Sequence, residues 1–165
     1  MENPFKPAES YKPAVVVITV VFAFIGIAVL ALIDRYIDNQ WIVASFGSTA
    51  VLIYAAPKAP FSRPKNVFFG HLFSAIVSML IVFLFSEAGI VNDLGWFMCG
   101  LCVAVAILVM MLTGTIHPPA GATALTVAIS VITDPAFLVF PLVIGLLFMM
   151  GVAYIANILR DKYAD

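Results

Sequence analysis

The stretch of residues 94–133 constrains the fold most strongly, because it contains no Asp, Glu, Lys or Arg. As one helix it would run about 60 Å, twice the thickness of a bilayer's hydrocarbon core. It must therefore fold back, and Gly114 to Pro119 is where it can, since two prolines end one helix and can begin another. Lipid cannot hydrogen-bond free backbone groups, so protein must bury this break or the break must line a polar cavity.

Composition places the whole chain in a membrane. Hydrophobic residues make up 64% of the sequence and charged residues 10%, and the mean hydropathy is +1.13, far from the values of a soluble domain. The net charge of -1 provides no basic patch for nucleic acid. We therefore look for partners in the lipid bilayer and among small solutes.

The charge-free stretches predict an all-α integral membrane protein. Residues 14–33, 67–86 and 135–159 are each long enough to cross the bilayer, and residues 94–113 form a fourth long span. Residues 41–56 and the segment after the prolines are shorter and interrupted by Gly, Ser, Thr or Pro. The prediction is thus four long transmembrane helices and two short broken half-helix segments. It divides the chain into an N-terminal segment 1–13, one transmembrane domain 14–159 and a tail 160–165.

The basic residues predict the topology. If both short segments cross the membrane, seven of the eight Lys and Arg residues lie on one face, with only Arg35 opposite. If both segments loop back, the basic residues of the loop 57–66 join Arg35 and the split is four against four. The positive-inside rule favours six crossings with both termini cytoplasmic, and we expect the cytoplasmic (inner) membrane.

The two short segments resemble each other in sequence. Gly47-Ser48-Thr49-Ala50-Val51 and Gly121-Ala122-Thr123-Ala124-Leu125 share the pattern Gly, small residue, Thr, Ala, apolar residue. Each half of the chain, 14–86 and 95–159, then reads long span, short broken span, long span. With three crossings per half, the second half enters from the opposite face, so the halves form an inverted repeat. Paired interrupted segments of this kind point to a transporter's binding site.

The broken segments predict an anion site near the bilayer midplane. If each is a half-helix beginning near its glycine, the free N–H groups at both starts carry a partial positive charge of about half a unit. No Lys or Arg lies in a predicted span, so backbone N–H groups after the prolines, hydroxyls and a histidine would hold the anion. The candidate binding residues are Gly47, Ser48, Thr49, His117, Pro118, Pro119, Gly121, Ala122 and Thr123.

Structural interpretations of the same residues stay open. Gly47 and Gly121 could serve close helix packing, the hydroxyls could bond back to their own helix, and His117 could cap carbonyls at the break. His71 lies close to the basic loop, where an interfacial position is expected. As the side chains in the spans that titrate near neutrality, His71 and His117 are also the candidate gate or proton relay.

We do not expect an enzyme. Metal chemistry needs several His, Cys or carboxylate ligands together, whereas the spans offer two separated histidines and the pair Cys99 and Cys102. Apolar surroundings make such thiols inert, so we interpret the pair as packing and expect neither metal nor cofactor. The expected partners are a small inorganic anion, the bilayer and, because small apolar chains often oligomerise, a second copy of the chain.

The residues around the double proline resemble the signature of the HPP family of integral membrane proteins. The stretch Phe46-Gly47-Ser48-Thr49-Ala50-Val51-Leu52 and the run Gly70-His71-Leu72 are similar to other recurrent parts of that family. The resemblance implies four membrane helices and, from chloroplast and cyanobacterial members, nitrite transport. The resemblance favours a transporter or channel for a small inorganic anion, with nitrite as the first candidate. The alternative is a non-transporting structural or regulatory membrane module.

Overall fold

The computed structural model describes residues 11–36 and 43–164, and every regular element in these ranges is helical. Four helices are long and apolar enough to cross a membrane, and two apolar helical segments are shorter. The predicted all-α fold class is therefore confirmed. In chain order the helices are α1 (Pro13–Tyr36), α2 (Ser45–Ala50), α3 (Pro64–Glu87), α4 (Val91–Thr113), α5 (Pro118–Ile129) and α6 (Ile144–Ala164).

The predicted spans and the observed helices differ mainly at their ends. α3 begins at Pro64 rather than at 67, because proline fits the first turn of a helix, where its missing N–H is not needed. The last span begins irregularly, with a π-helical turn over Leu138–Val143 and a non-helical Phe140 before Pro141, as expected for a residue that precedes proline. Most of the predicted segment 1–13 and the predicted start of the short span at 41–42 lie outside the described residues.

Glycine, rather than proline, ends the helix before the double-proline break. Gly114 adopts a left-handed conformation with φ of 62°, and the N–H of Thr115 donates to the Met110 carbonyl over 2.9 Å, a common helix C-cap. His117 is extended, as a residue before proline should be. The Asn66 side-chain amide then donates to the Ile116 carbonyl over 3.1 Å. Protein groups thus satisfy part of the backbone that the break leaves open.

The other break follows α2, which continues as a π-helical turn over Val51–Ala55. Ser62, in a short 3-10 turn (Pro60–Ser62), donates its hydroxyl towards the carbonyls of Leu52 and Ala56, at 3.0 and 2.7 Å. Tyr54 is fully buried, and its hydroxyl donates to the Met149 carbonyl on α6 over 3.1 Å. The basic loop therefore closes over the end of the first short segment.

The long helices pack as two pairs, α1 with α6 and α3 with α4. If α1 corresponds to α4 and α3 to α6, as the proposed repeat requires, the same pairing occurs twice, each time between the two halves of the chain. The short helices α2 and α5 contact each other, and α5 also packs against α3 and α4. The two short segments therefore lie together beside α3, the helix in the middle of the sequence.

Candidate functional site

The centre of the candidate site is His71 on α3, whose side chain is fully buried. Its Nε2 lies 2.8 Å from the Thr49 hydroxyl on α2, and its Nδ1 lies 2.6 Å from the Thr123 hydroxyl on α5. Our expectation of an interfacial position for His71 is therefore wrong. Sequence position alone placed it near a helix end, but the basic loop and both short segments cover that end.

His117 lies beside His71, with ring centroids 5.0 Å apart. Its Nε2 is 3.2 Å from the Thr49 hydroxyl, and its Nδ1 is 2.8 Å from the Phe61 carbonyl in the 3-10 turn. At the other end of the cluster the Ser45 hydroxyl is 2.7 Å from that of Thr123. These groups form one continuous row, here called the His–Thr row: Ser45, Thr123, His71, Thr49, His117 and the Phe61 carbonyl.

The Phe61 carbonyl fixes the tautomer of His117 when both imidazoles are neutral. A carbonyl only accepts, so His117 carries its proton on Nδ1 and its Nε2 accepts from the Thr49 hydroxyl at 3.2 Å. The Thr49 proton is shared with a second acceptor, the Ser45 carbonyl at 3.0 Å. Thr49 then accepts from His71 Nε2–H, and His71 Nδ1 accepts from Thr123. Ser45 donates to Thr123 and completes the row. This assignment gives every nitrogen and hydroxyl of the row a partner.

A glycine allows α3 to approach the break closely enough for this geometry. A Cβ added at Gly70 would lie 2.9 Å from both the His117 Cβ and the Thr115 carbonyl oxygen. On the opposite side the Phe46 ring meets the His71 ring edge-on, with centroids 6.3 Å apart. His71 is thus held between α2, α5 and an aromatic ring, and Gly70 leaves the space that His117 needs.

The structure separates the predicted binding residues into two groups. Thr49, His117, Pro119 and Thr123 are buried and lie in the His–Thr row or beside it. The others are exposed or half-buried on the outer faces of α2 and α5: Gly47, Ser48, Pro118, Gly121 and Ala122. The Ser48 hydroxyl donates to the Ser45 carbonyl over 2.9 Å, which is the local bonding expected of serine in a membrane helix.

The N-termini of α2 and α5 offer fewer free N–H groups for an anion than the helix dipoles predicted. α2 has only six α-helical residues, and the N–H groups of Phe46 and Gly47 donate to the carbonyls of Val43 and Ala44. Two prolines begin α5, and the first N–H after them, on Ala120, donates to the His117 carbonyl over 2.9 Å. The polar groups directed towards the space between the short helices are thus hydroxyls and imidazoles.

Two cavities lie on the side of the basic loop. The larger, of about 460 Å³, is lined by Lys12, Lys58 and Arg160 among others, with Asp161 as its acidic residue. The smaller, of about 150 Å³, shares Pro57 and Asn157 with the first and extends to Val67 and Ser62. Val67 precedes His71 by one helical turn on α3. We call the two cavities together the basic vestibule.

Several residues of this region are not predicted from the sequence. Ser45 lies in the interruption of the first short segment, and Asn157 lies in the last span. The helical spacing of His71, Ser74 and Ser78, which repeats every three to four residues, could have identified one polar face of α3. Within residues 11–36 and 43–164, no group of three or more His, Cys, Asp or Glu is placed to hold a metal ion.

Comparison with known proteins identifies relatives but no solved fold. Residues 8–164 match the family model described as HPP, transmembrane region. A transmembrane protein of Dictyostelium discoideum is 34% identical over 144 residues, which cover 82% of this chain and 49% of the relative. A second from the same organism is 38% identical over 112 residues, covering 66% of this chain and 35% of the relative. The chain thus spans half or less of these relatives, and no solved structure matches it.

Proposed function

This chain belongs to the HPP family of transmembrane proteins, and we propose that it is a transporter or channel for a small inorganic anion, with nitrite as the first candidate. One observation carries the proposal: two histidines, His71 and His117, are buried side by side between two short membrane helices. Ionisable side chains inside a membrane are costly and rare, and they commonly mark solute or proton pathways.

The charge balance favours an anion that crosses together with a proton. An anion in a low-dielectric interior is costly without a countercharge, and the His–Thr row contains no Lys or Arg. An imidazole that accepts a proton would supply the positive charge, and the hydroxyls of Thr49 and Thr123 would donate to the oxygen atoms of the anion. Proton and anion would then leave together, which makes the net transport electroneutral.

The basic vestibule supports entry of an anion from the side of the loop 57–66. A cleft lined by Lys12, Lys58 and Arg160 raises the local concentration of small anions through its potential. The smaller cavity reaches Val67, one helical turn from His71. An anion gathered by the basic residues would therefore have a short distance to travel to the histidines.

Liposomes that contain the purified protein test the proposal. We expect nitrite uptake at neutral pH to exceed that of protein-free vesicles and to rise when the outer solution is made more acidic than the lumen. His117→Ala should reduce this uptake more than tenfold while folded yield falls less. Uptake equal to that of protein-free vesicles at every proton gradient would refute transport of nitrite.

The alternative, a non-transporting structural or regulatory module, has one observation in its favour. With both histidines neutral, the His–Thr row is self-satisfied and ties α2, α3, α5 and the 3-10 turn together. A purely structural row predicts that His117→Ala lowers uptake and folded yield in equal proportion. A loss of uptake at preserved yield distinguishes transport from this reading.

A further inference from the structure

Four buried side-chain atoms lack a hydrogen-bond partner in the described part of the chain: the hydroxyls of Ser74, Ser78 and Ser86 and the amide oxygen of Asn157. Burying a polar group without a partner costs free energy, so such groups call for a reason. Asn157 lines both cavities of the basic vestibule. The three serines all lie on α3, beyond His71 in the direction away from the vestibule.

The serines follow His71 along one side of the helix. Ser74 and Ser78 are fully buried and lie three and seven residues after His71, which places them on the same face. Ser86 is half-buried and lies within one residue of the end of α3 at Glu87. At 1.5 Å per residue, the distance along the axis from His71 to Ser86 is about 22 Å, most of the way to the far face of the membrane.

Serine in a membrane helix usually bonds to a carbonyl of its own helix, and several hydroxyls of this protein do so, among them Thr19, Thr113 and Thr126. Ser74 and Ser78 do not, although both lie in the middle of a regular helix. The Cys102 thiol on α4 donates to the Ser78 carbonyl over 3.8 Å, whereas the hydroxyls of Ser74 and Ser78 have no partner among the described residues.

We propose that Ser74, Ser78 and Ser86 form the second half of the anion's route, from the His–Thr row to the face opposite the basic loop. This inference rests on the proposed transport function. The expected ligand is a small oxyanion that keeps part of its hydration shell. Serine hydroxyls donate hydrogen bonds to its oxygen atoms but carry no charge of their own.

The first test separates transport from stability. The double variant Ser74→Ala, Ser78→Ala should reduce nitrite uptake at least fivefold, while its unfolding temperature stays unchanged or rises, because two unpaired buried hydroxyls are removed. Ser130→Ala, at the exposed end of α5, is the matched control and should change neither quantity. Uptake of the double variant equal to that of the unmodified protein would overturn the route.

The second test needs no transported substrate. In a protein that carries Cys99→Ala and Cys102→Ala, a thiol introduced as Ser78→Cys should react with an anionic, membrane-impermeant methanethiosulfonate added on the face opposite the basic loop. It should react more slowly with a cationic reagent of similar size. Absence of labelling from that face, or labelling only from the vestibule face, would overturn the proposal.

The two tests keep the route and the proposed function apart. If the unmodified protein shows no nitrite uptake but Ser78→Cys is labelled as expected, nitrite transport is wrong and the route stands for another anion. If nitrite uptake is present, and neither the serine substitutions nor the thiol reagent has an effect, the route is wrong and the transport function stands. Since folded yield and melting are measured for each variant, misfolding does not imitate either result.

Discussion

Thr49 and Thr123 bind opposite edges of one imidazole, with hydroxyls 2.8 and 2.6 Å from the two ring nitrogens of His71. The two threonines occupy the same position in the two short motifs that suggested an inverted repeat. His71 has no such counterpart, because the only other histidine, His117, lies at the break before α5. The two halves thus contribute matching hydroxyls to a histidine that only the first half supplies.

Replacing either threonine by valine tests this convergence. Thr49→Val keeps the shape of the side chain but leaves nitrogens on both His71 and His117 without a partner, so we expect a loss of about 1–3 kcal/mol in unfolding free energy. Thr49→Ser retains the hydroxyl and should recover most of this loss. Unfolding of the detergent-solubilised variants measures both, and equal stability of the Val and Ser variants would contradict the hydrogen bonds described here.

Two glycines should respond in opposite ways to alanine. Gly70→Ala places a Cβ 2.9 Å from the Thr115 carbonyl and the His117 Cβ, so overpacking should cost about 1–3 kcal/mol. Gly121→Ala meets nothing within 4 Å and should be neutral or stabilise α5 by up to about 1 kcal/mol. The melting temperatures of the two variants measure both effects. An unchanged melting temperature for Gly70→Ala would show that α3 and the break are further apart than described here.

Gly114→Ala tests the end of α4. Because Gly114 has φ of 62°, a Cβ there strains the backbone by about 1–2 kcal/mol. Gly100→Ala, in the same helix and with open space around it, is the control and should stabilise by about 0.5–1 kcal/mol. If both substitutions raise the melting temperature, Gly114 does not need the left-handed conformation.

The six-crossing topology can be tested by labelling a thiol in the loop 57–66. Lys58 is an exposed position in this loop, whereas Ser62 is unsuitable because its buried hydroxyl caps two carbonyls. In a protein without native cysteines, we expect Lys58→Cys and Lys162→Cys to be labelled from one side of the membrane and Asp93→Cys from the other. Labelling of Lys58→Cys from the same side as Asp93→Cys would contradict six crossings.

The long helices could be predicted from the sequence because lipid imposes a length and a polarity on each of them. The double-proline break could be predicted because proline removes donors wherever it stands. The central role of His71 could not, since it depends on how α2 and α5 pack around α3, and nothing in the local sequence fixes that packing. For the same reason the sequence could not separate the glycines from the threonines among the predicted binding residues, whereas the structure buries Thr49 and Thr123 and leaves Gly47 and Gly121 on the outside.

The hydrogen bond between His117 and the Phe61 carbonyl links hydrogen-bond donation along the His–Thr row to the 3-10 turn. While His117 donates to the Phe61 carbonyl, the neutral row has one sense of donation, because its last member has no proton to give back. If the 3-10 turn at Pro60–Ser62 moved away, His117 could exchange its tautomer, and each hydroxyl along the row could rotate to donate the other way. For the proposed proton-coupled transport, the position of this turn would then set the direction in which the buried row can pass a proton.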